Sequence, residues 1–219
     1  MPPVSPAVVI PEAELLARCM QGEERAWDEL FDRHYAPSAR FVYQLGYDFT
    51  QEDVEEICQE VFVTVVKNLH TFQGNSQFQT WLFRIAANRA RDYRQRQSAA
   101  KRGGGRVPLS LHRDDDDDLP IDPASPLPAP DVVLRDAEQA ALVGHALERL
   151  GGPCQEIIEL RYFADLSYEE ISASLQLNPK TVSSRLSKCL DKLEIVARGL
   201  FARLDKPSFH RENKTPTSV

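Results

Sequence analysis

The residues best suited to chemistry in this chain lie near residue 80, where a polar loop and an aromatic cluster precede a basic helix. At about 100° per residue, one side of this helix collects an aromatic ring, an amide and two guanidinium groups: Trp81, Arg84, Asn88 and Arg91. Arginine and asparagine bind phosphates and read base edges, and aromatic rings beside a polar loop can hold unstacked bases. The pattern therefore favours a nucleic-acid ligand. The alternative is a solvated basic helix with Trp81 as a core anchor.

The charge of this segment contrasts with that of the whole chain. Residues 84–106 contain eight basic residues and one acid, which gives a local charge of +7, whereas the 219 residues together carry −7. The overall charge argues against indiscriminate coating of DNA. A specific binder remains compatible with it, because attraction to phosphates is local.

A second candidate for reading DNA lies at residues 166–193, which have the proportions of a helix-turn-helix. Ser167 and Glu170 form a capping box before the first helix, and Asn178 with Pro179 is typical of the start of the second. The polar residues near the start of that second helix are Lys180, Thr181, Ser184, Arg185 and Lys188. A plain helical hairpin with a solvated charged face is the alternative.

The clearest amphipathic pattern in the chain runs from Thr50, a candidate N-cap, to Leu69. The apolar stripe includes Phe62 and Val66, and the first turns carry five acids without a base. These acids suit the helix dipole, but they could equally dock a basic partner helix.

These elements predict an all-α protein of two helical domains. We expect the first at residues 12–97, a flexible acidic and proline-rich linker at 98–130, the second at 131–204, and a disordered tail at 205–219. The linker contains a run of five aspartates at 114–118. Pro37 is expected to kink or split the long helix of the first domain.

The remaining composition indicates no enzyme site. The four cysteines are far apart and the five histidines are scattered, so we expect free thiols, no metal site and no cofactor. No signal peptide or membrane span is recognisable. The sequence therefore predicts a soluble, cytoplasmic protein.

Three blocks, residues 52–62, 71–96 and 160–193, together resemble the sigma factors of bacterial RNA polymerase. The resemblance is to the extracytoplasmic-function (ECF) group, which has only regions 2 and 4. The blocks occur in the family's order and extend over about two thirds of the chain. The resemblance implies a region 2 helical bundle joined to a region 4 helix-turn-helix, and a factor that binds core polymerase and directs promoter-specific initiation.

The resemblance also implies roles for particular residues. The helix at 52–69 resembles region 2.2, which binds the β′ coiled coil of core polymerase; the residues expected there are Asp53, Glu56, Gln59 and Glu60. Residues 72–91 resemble regions 2.3 and 2.4, which melt the −10 element; the residues expected there are Gly74, Asn75, Ser76, Gln77, Trp81, Arg84, Asn88 and Arg91. Region 4 reads the −35 element and touches the β flap; the residues expected for −35 DNA are Lys180, Thr181, Ser184, Arg185 and Lys188. Members of this family are usually held inactive by an anti-sigma factor.

Two other functions stay open on the sequence alone. A stand-alone helix-turn-helix regulator would explain residues 160–193 but would leave the acidic helix at 52–69 without a role. A degenerate sigma-like interaction module would bind polymerase or an anti-sigma factor without opening promoters.

Overall fold

The structure, a computed structural model, describes residues 10–103 and 130–204, with side chains at 10–100 and 138–202. Eight α-helices and no strand lie in these two ranges, which confirms the all-α class. The helices are α1 Glu12–Met20, α2 Glu24–Leu45, α3 Gln51–Asn68, α4 Phe78–Gly103, α5 Pro130–Leu150, α6 Gly152–Tyr162, α7 Tyr168–Leu175 and α8 Pro179–Leu204.

The first domain is built around α3, which packs against both α2 and α4. Thr50 begins this helix with the expected cap: its hydroxyl oxygen accepts a bond from the backbone N–H of Asp53, whose carboxylate accepts one from the backbone N–H of Thr50. Val61 and Val65, both fully buried, lie one turn apart on the inner face. The α3 stripe therefore forms the centre of this core.

Helix α2 is not split at Pro37, which was one of the two outcomes predicted there, and it continues from Glu24 to Leu45. A proline inside a helix removes one backbone hydrogen bond, which favours a break. Here Leu30, Ser38 and Phe41, on both sides of the proline, are buried in the same core. Tertiary packing thus holds the helix together across the lost bond.

The second domain has the predicted helix-turn-helix. Helix α7 begins directly after Ser167, and Ser167 and Glu170 form the expected capping box. Ile171 from α7 and Val182 and Leu186 from α8 are buried together with residues of α6. Because this face of α8 is buried in the core, the opposite face of the helix is turned to solvent.

The cysteines correct a second prediction. Cys154 at the start of α6 and Cys189 in the middle of α8 form a disulfide, whereas the sequence analysis expected free thiols throughout. The two residues are 35 positions apart in sequence, and the packing of α6 against α8 brings them together. Cys19 and Cys58 are free and buried, as expected.

Helix α4 continues to Gly103, so its last six residues lie in the segment 98–130 that the sequence predicted as a linker. The aspartate run at 114–118 and the tail at 205–219 lie outside the described residues.

Candidate nucleic-acid interface

The five residues predicted to read the −35 element lie on the exposed side of α8. Lys180, Thr181, Ser184, Arg185 and Lys188 are all solvent-exposed. The side-chain oxygen of Asn178 accepts a bond of 2.9 Å from the backbone N–H of Lys180, which caps the start of the helix. Among the described residues, none of the three cations in this set makes an ion pair. This surface therefore presents free positive charge at a helix N-terminus, which favours contact with an anion.

The loop before α4 is also open to solvent. Gly74 has φ +72°, in the left-handed region that favours glycine, and no atom would lie within 4 Å of a Cβ added there. The Asn75 amide donates a 3.1 Å bond to the side-chain oxygen of Gln73, and the Ser76 hydroxyl donates one to the carbonyl of Gln77. The amide groups of Asn75 and Gln77 are exposed. The loop can therefore offer donors and acceptors to a base.

Trp81 combines the two interpretations that the sequence left open, a base-contacting ring and a core anchor. Its ring lies 5.4 Å from the ring of Phe72 and 5.7 Å from that of Phe78, measured between centroids. It also packs against the core of the first domain while staying partly exposed. The side chain thus serves as a core anchor and still shows an aromatic surface beside the loop. The sequence predicted an aromatic cluster here, but it did not include Phe72, which precedes the helix.

The two guanidinium groups predicted for the −10 element contact the second domain. Arg91 forms an ion pair with Glu159 at 2.5 Å, and its other terminal nitrogen bonds to the amide oxygen of Asn88. Arg84 donates a 2.6 Å bond to the backbone carbonyl of Ser174 and lies 3.3 Å from Glu156. Asn88 is exposed, whereas Arg84 and Arg91 are only partly exposed. The structure therefore brings the predicted set together but partly covers it.

Glu159 is the most enclosed charged group at this contact, with only 3% of its surface exposed. The amide of Gln155 donates a 2.7 Å bond to one of its carboxylate oxygens, and Arg91 pairs with the other. Burial raises the pKa of the Glu159 carboxyl to about 7, against the opposing influence of Arg91. Nothing in the sequence around residue 159 distinguished this acid from a solvated one.

The four residues predicted to bind polymerase divide into two pairs. Asp53 accepts bonds from the Tyr93 hydroxyl and from the Gln97 amide, and Glu60 pairs with Arg96 at 2.7 Å. Glu56 and Gln59 are exposed on the outer side of α3, and the Tyr93 hydroxyl lies 3.5 Å from one carboxylate oxygen of Glu56. Asp53 and Glu60 are thus engaged within their own domain, whereas Glu56 and Gln59 are exposed to a partner.

Two exposed valines continue the line of Glu56 and Gln59 along α3. Val63 is 51% exposed and Val66 is 58% exposed, although the sequence placed Val66 on the core stripe. Their spacing of three and four residues puts all four side chains on one side of the helix. The Phe62 ring, half-buried beside them, lies 4.8 Å from the exposed ring of Phe31. We define the α3 surface as Glu56, Gln59, Val63 and Val66.

Two further features of the described residues bear on the kind of protein. No helix in them is both long and apolar enough to cross a membrane. In the same ranges, no three His, Cys, Asp or Glu side chains come together in a group that could hold a metal ion.

Comparison with known proteins identifies the family of this chain. Residues 12–195 match the sequence model of the family described as ECF sigma factor. The RNA polymerase sigma-H factor of Pseudomonas aeruginosa is 26% identical over 84% of this chain and 92% of its own length. The ECF RNA polymerase sigma-E factor of Escherichia coli K12 is 29% identical over 86% of this chain and 95% of its own. Among solved structures, CnrH in complex with the cytosolic domain of CnrY has a similar fold. Its TM-score is 0.51 at 23% identity, covering 89% of this chain and 99% of that one. The chain therefore belongs to the ECF sigma factor family of RNA polymerase.

Proposed function

We propose that this sigma factor binds core polymerase through the α3 surface and recognises promoter DNA through two separate surfaces. The exposed side of α8 reads the −35 element in the major groove. The loop at residues 74–77 and the adjoining side of α4 open the −10 element and hold it. The protein has no catalytic activity of its own and acts in the cytoplasm.

The observation that carries this proposal is the exposed set on α8. Lys180, Arg185 and Lys188 lie free of ion pairs within the described residues, on the outer side of the second helix of a helix-turn-helix. Such a helix fits the major groove, where arginine and lysine reach guanine edges and phosphates, and serine and threonine contact either. The apolar residues of α8 face the core of the same domain, so the fold itself turns the polar side of α8 to solvent.

The first domain supplies what promoter opening requires. Separating base pairs costs stacking energy, which capture of an extruded base in a polar loop with an aromatic neighbour offsets. The exposed amides of Asn75 and Gln77 and the partly exposed ring of Trp81 are suited to this capture.

The α3 surface combines two kinds of attraction for the β′ coiled coil. Exposed valines supply apolar area, and the acids of the first turns attract a basic partner over a longer range. Asp53 acts from within: its bond to Thr50 caps α3, and its bonds to Tyr93 and Gln97 hold α3 against α4.

An anti-sigma factor is a further partner in this proposal. The solved structure of similar fold contains CnrH bound to the cytosolic domain of CnrY. By similarity, an equivalent partner would hold this chain away from polymerase.

Transcription in vitro tests the proposal. Purified chain and bacterial core polymerase are mixed with a library of promoter fragments, and transcript starts are mapped. We expect specific starts that share two upstream elements. Binding to polymerase without transcripts would instead favour the interaction module, and tight duplex binding without polymerase would favour the stand-alone regulator.

The α8 assignment is tested on the promoters so found. Arg185→Ala should cost about 1–3 kcal/mol in promoter binding and relax the preference at one −35 position, since a bidentate contact to a base is lost. Arg198→Ala is the matched control, because Arg198 lies on the same helix in an exposed ion pair with Glu194. An unchanged −35 preference in Arg185→Ala would refute the assignment.

The interaction module is favoured by one observation, the engagement of Arg84 and Arg91 by groups of the second domain. A chain that never releases these cations could bind polymerase without opening DNA. The two functions therefore differ in whether the contact between the domains opens.

A further inference from the structure

We propose that Cys154 and Cys189 form a reversible thiol–disulfide site for a small anionic thiol, and that the closed disulfide holds α8 in place for −35 DNA. The inference rests on the proposed −35 role of α8. The disulfide joins α6 to the segment of α8 that carries the residues of that role. Cys189 directly follows Lys188 and lies about one helical turn after Arg185.

The two sulfur atoms of the disulfide differ in their access to solvent. Cys154 is partly exposed, whereas Cys189 is only 1% exposed. In thiol–disulfide exchange a thiolate attacks one sulfur of the disulfide, and access helps to decide which of the two is attacked. Cys154 is therefore the residue that exchanges with a thiol in solution, and Cys189 is the partner that leaves and returns.

A cavity of about 360 Å³ gives the thiol a place to bind, because both cysteines lie in its wall. Three cations, Arg185, Lys188 and Lys192, line the same cavity, and no acid does. None of the three makes an ion pair in the part of the chain that the structure describes. Cations attract an anionic thiol such as glutathione and stabilise the thiolates that exchange requires. The charge of the cavity thus suits both the ligand and the departing Cys189 sulfur.

The position of Cys154 in α6 favours the same chemistry. Helix α6 begins at Gly152, so Cys154 is its third residue and lies in the first turn. The helix dipole favours negative charge there, and cysteines at helix N-termini ionise more readily than others. A reduced Cys154 therefore has the character of a nucleophile, which is what closing the disulfide again requires.

Opening of the site consumes two molecules of the small thiol. The thiolate of the first attacks the Cys154 sulfur, the bond to Cys189 breaks, and Cys189 leaves as a thiolate. The second attacks the small molecule's sulfur in the mixed disulfide and releases Cys154. The protein disulfide is thereby reduced to two thiols, the two small thiols become one disulfide, and the released thiolates take up their protons. Closure is the reverse reaction, with the disulfide of the small thiol as the oxidant.

The state of the disulfide reaches the −35 surface through the packing of α8. When the bond is closed, it ties the segment around Lys188 covalently to α6. After reduction, two unbonded sulfur atoms need more room than a bonded pair, so the packing of α6 against α8 loosens at this point. In the cytoplasm proposed above, disulfides are usually transient and often sense redox conditions. Oxidation should therefore strengthen −35 binding, and reduction should weaken it.

The exchange site is tested with oxidised glutathione on two full-length variants, Cys189→Ser and Cys154→Ser. Mass spectrometry follows the added glutathione, and peptide mapping locates it. Cys189→Ser should acquire glutathione at Cys154 about tenfold faster than Cys154→Ser acquires it at Cys189, because the second sulfur is buried. The buried thiols of Cys19 and Cys58 are references within each chain and should stay unmodified. Circular dichroism confirms that both variants are folded.

The role of the cavity's charge is tested at Lys192, which lies outside the predicted −35 set. In the Cys189→Ser background, Lys192→Glu should slow modification of Cys154 by about threefold, because it reverses one of the three charges. Arg198→Glu is the matched control on the same helix, since Arg198 does not line the cavity. Equal slowing by both changes would show that the cavity does not attract the thiol.

Promoter binding tests the consequence of the redox state. The chain is oxidised with glutathione disulfide or reduced with dithiothreitol, freed of reagent, and assembled with core polymerase on a promoter mapped as described above. The oxidised wild type should bind about tenfold more tightly, because apparent affinity scales with the fraction of chains that hold α8 in place. The double variant Cys154→Ser, Cys189→Ser should bind like the reduced wild type after either treatment, which excludes a response of the polymerase itself.

Equal modification rates in the two single-cysteine variants would overturn the exchange site. Equal or weaker promoter binding by the oxidised wild type would overturn the link to the −35 surface. Either result leaves the proposed function standing if Arg185→Ala still alters the −35 preference. If that preference is unchanged, the −35 assignment fails on its own, and the exchange rates of the free chain still decide the thiol chemistry.

Discussion

At the scale of single residues, the same side chain can serve folding and DNA binding in turn. Trp81 anchors the aromatic cluster with Phe72 and Phe78 and still shows a surface beside the loop. Arg91 pairs with a buried carboxylate although its type and position suit phosphate binding. Burial of an ionisable group has its clearest energetic consequence at Glu159, because the carboxyl group of this residue is almost entirely enclosed.

Glu159 should make stability depend on pH. Its pKa is raised from 4.5 to about 7 in the folded chain, so the folded state binds this proton more tightly than the unfolded state does. The favourable contribution is therefore fully present below about pH 4.5 and is lost as pH rises through about 7, by up to about 3 kcal/mol.

Urea unfolding between pH 5 and pH 8.5 measures this effect as the free energy of unfolding. Glu159→Gln should flatten the decline with pH, because glutamine does not titrate. A wild type and variant with the same slope would show that Glu159 contributes nothing to it.

At the scale of helices, local patterns predicted most elements, and partners distant in sequence decided the rest. The capping boxes at Thr50 and Ser167 join residues three apart, so they could be recognised directly. The path of α2 through Pro37 depends on the surrounding core, which no local rule contains. The Cys154–Cys189 pair likewise depends on the packing of α6 against α8.

The disulfide should stabilise the second domain by holding α8 against α6. A crosslink of this loop length is typically worth about 2–4 kcal/mol, so reductant should lower the melting temperature of this domain. Thermal unfolding followed by circular dichroism, with and without dithiothreitol, measures the change.

The double variant Cys154→Ser, Cys189→Ser is the control for this prediction. It should melt at the temperature of the reduced wild type and should not respond to dithiothreitol. If reductant lowers its melting temperature as much as that of the wild type, the effect does not come from this disulfide.

The α3 surface should tolerate polar substitution in the free chain but not in the complex with polymerase. Val66 is mostly exposed, so Val66→Asp should leave the melting temperature nearly unchanged. Loss of its apolar contact should weaken binding to core polymerase by about tenfold, or about 1.4 kcal/mol.

Surface plasmon resonance with immobilised core polymerase measures this binding. Val143→Asp is the matched control, because Val143 is also an exposed helical valine but lies in the second domain. Equal affinities of the two variants would place the polymerase contact elsewhere.

At the scale of the whole molecule, the two domains and the helix-turn-helix could be predicted, but their mutual contact could not. Arg91 and Glu159 are 68 residues apart; the sequence suggested a DNA contact for Arg91 and no particular role for Glu159. Because a DNA-binding set and a set of intramolecular ion pairs use the same residue types, only three-dimensional placement distinguishes them. In this chain the surface proposed for the −35 element is exposed, and the surface proposed for the −10 element is partly covered.

The most direct test of this account is permanganate probing of a promoter bound by core polymerase and this chain, because permanganate oxidises unpaired thymines. With the wild type, we predict reactive thymines in the −10 region. The double variant Gln77→Ala, Asn88→Ala should lose this reactivity while still binding polymerase, whereas Arg25→Ala, an exposed cation on α2, should keep it. Unpaired thymines of equal reactivity in the double variant, or none with the wild type, would contradict the claim that this surface opens promoters.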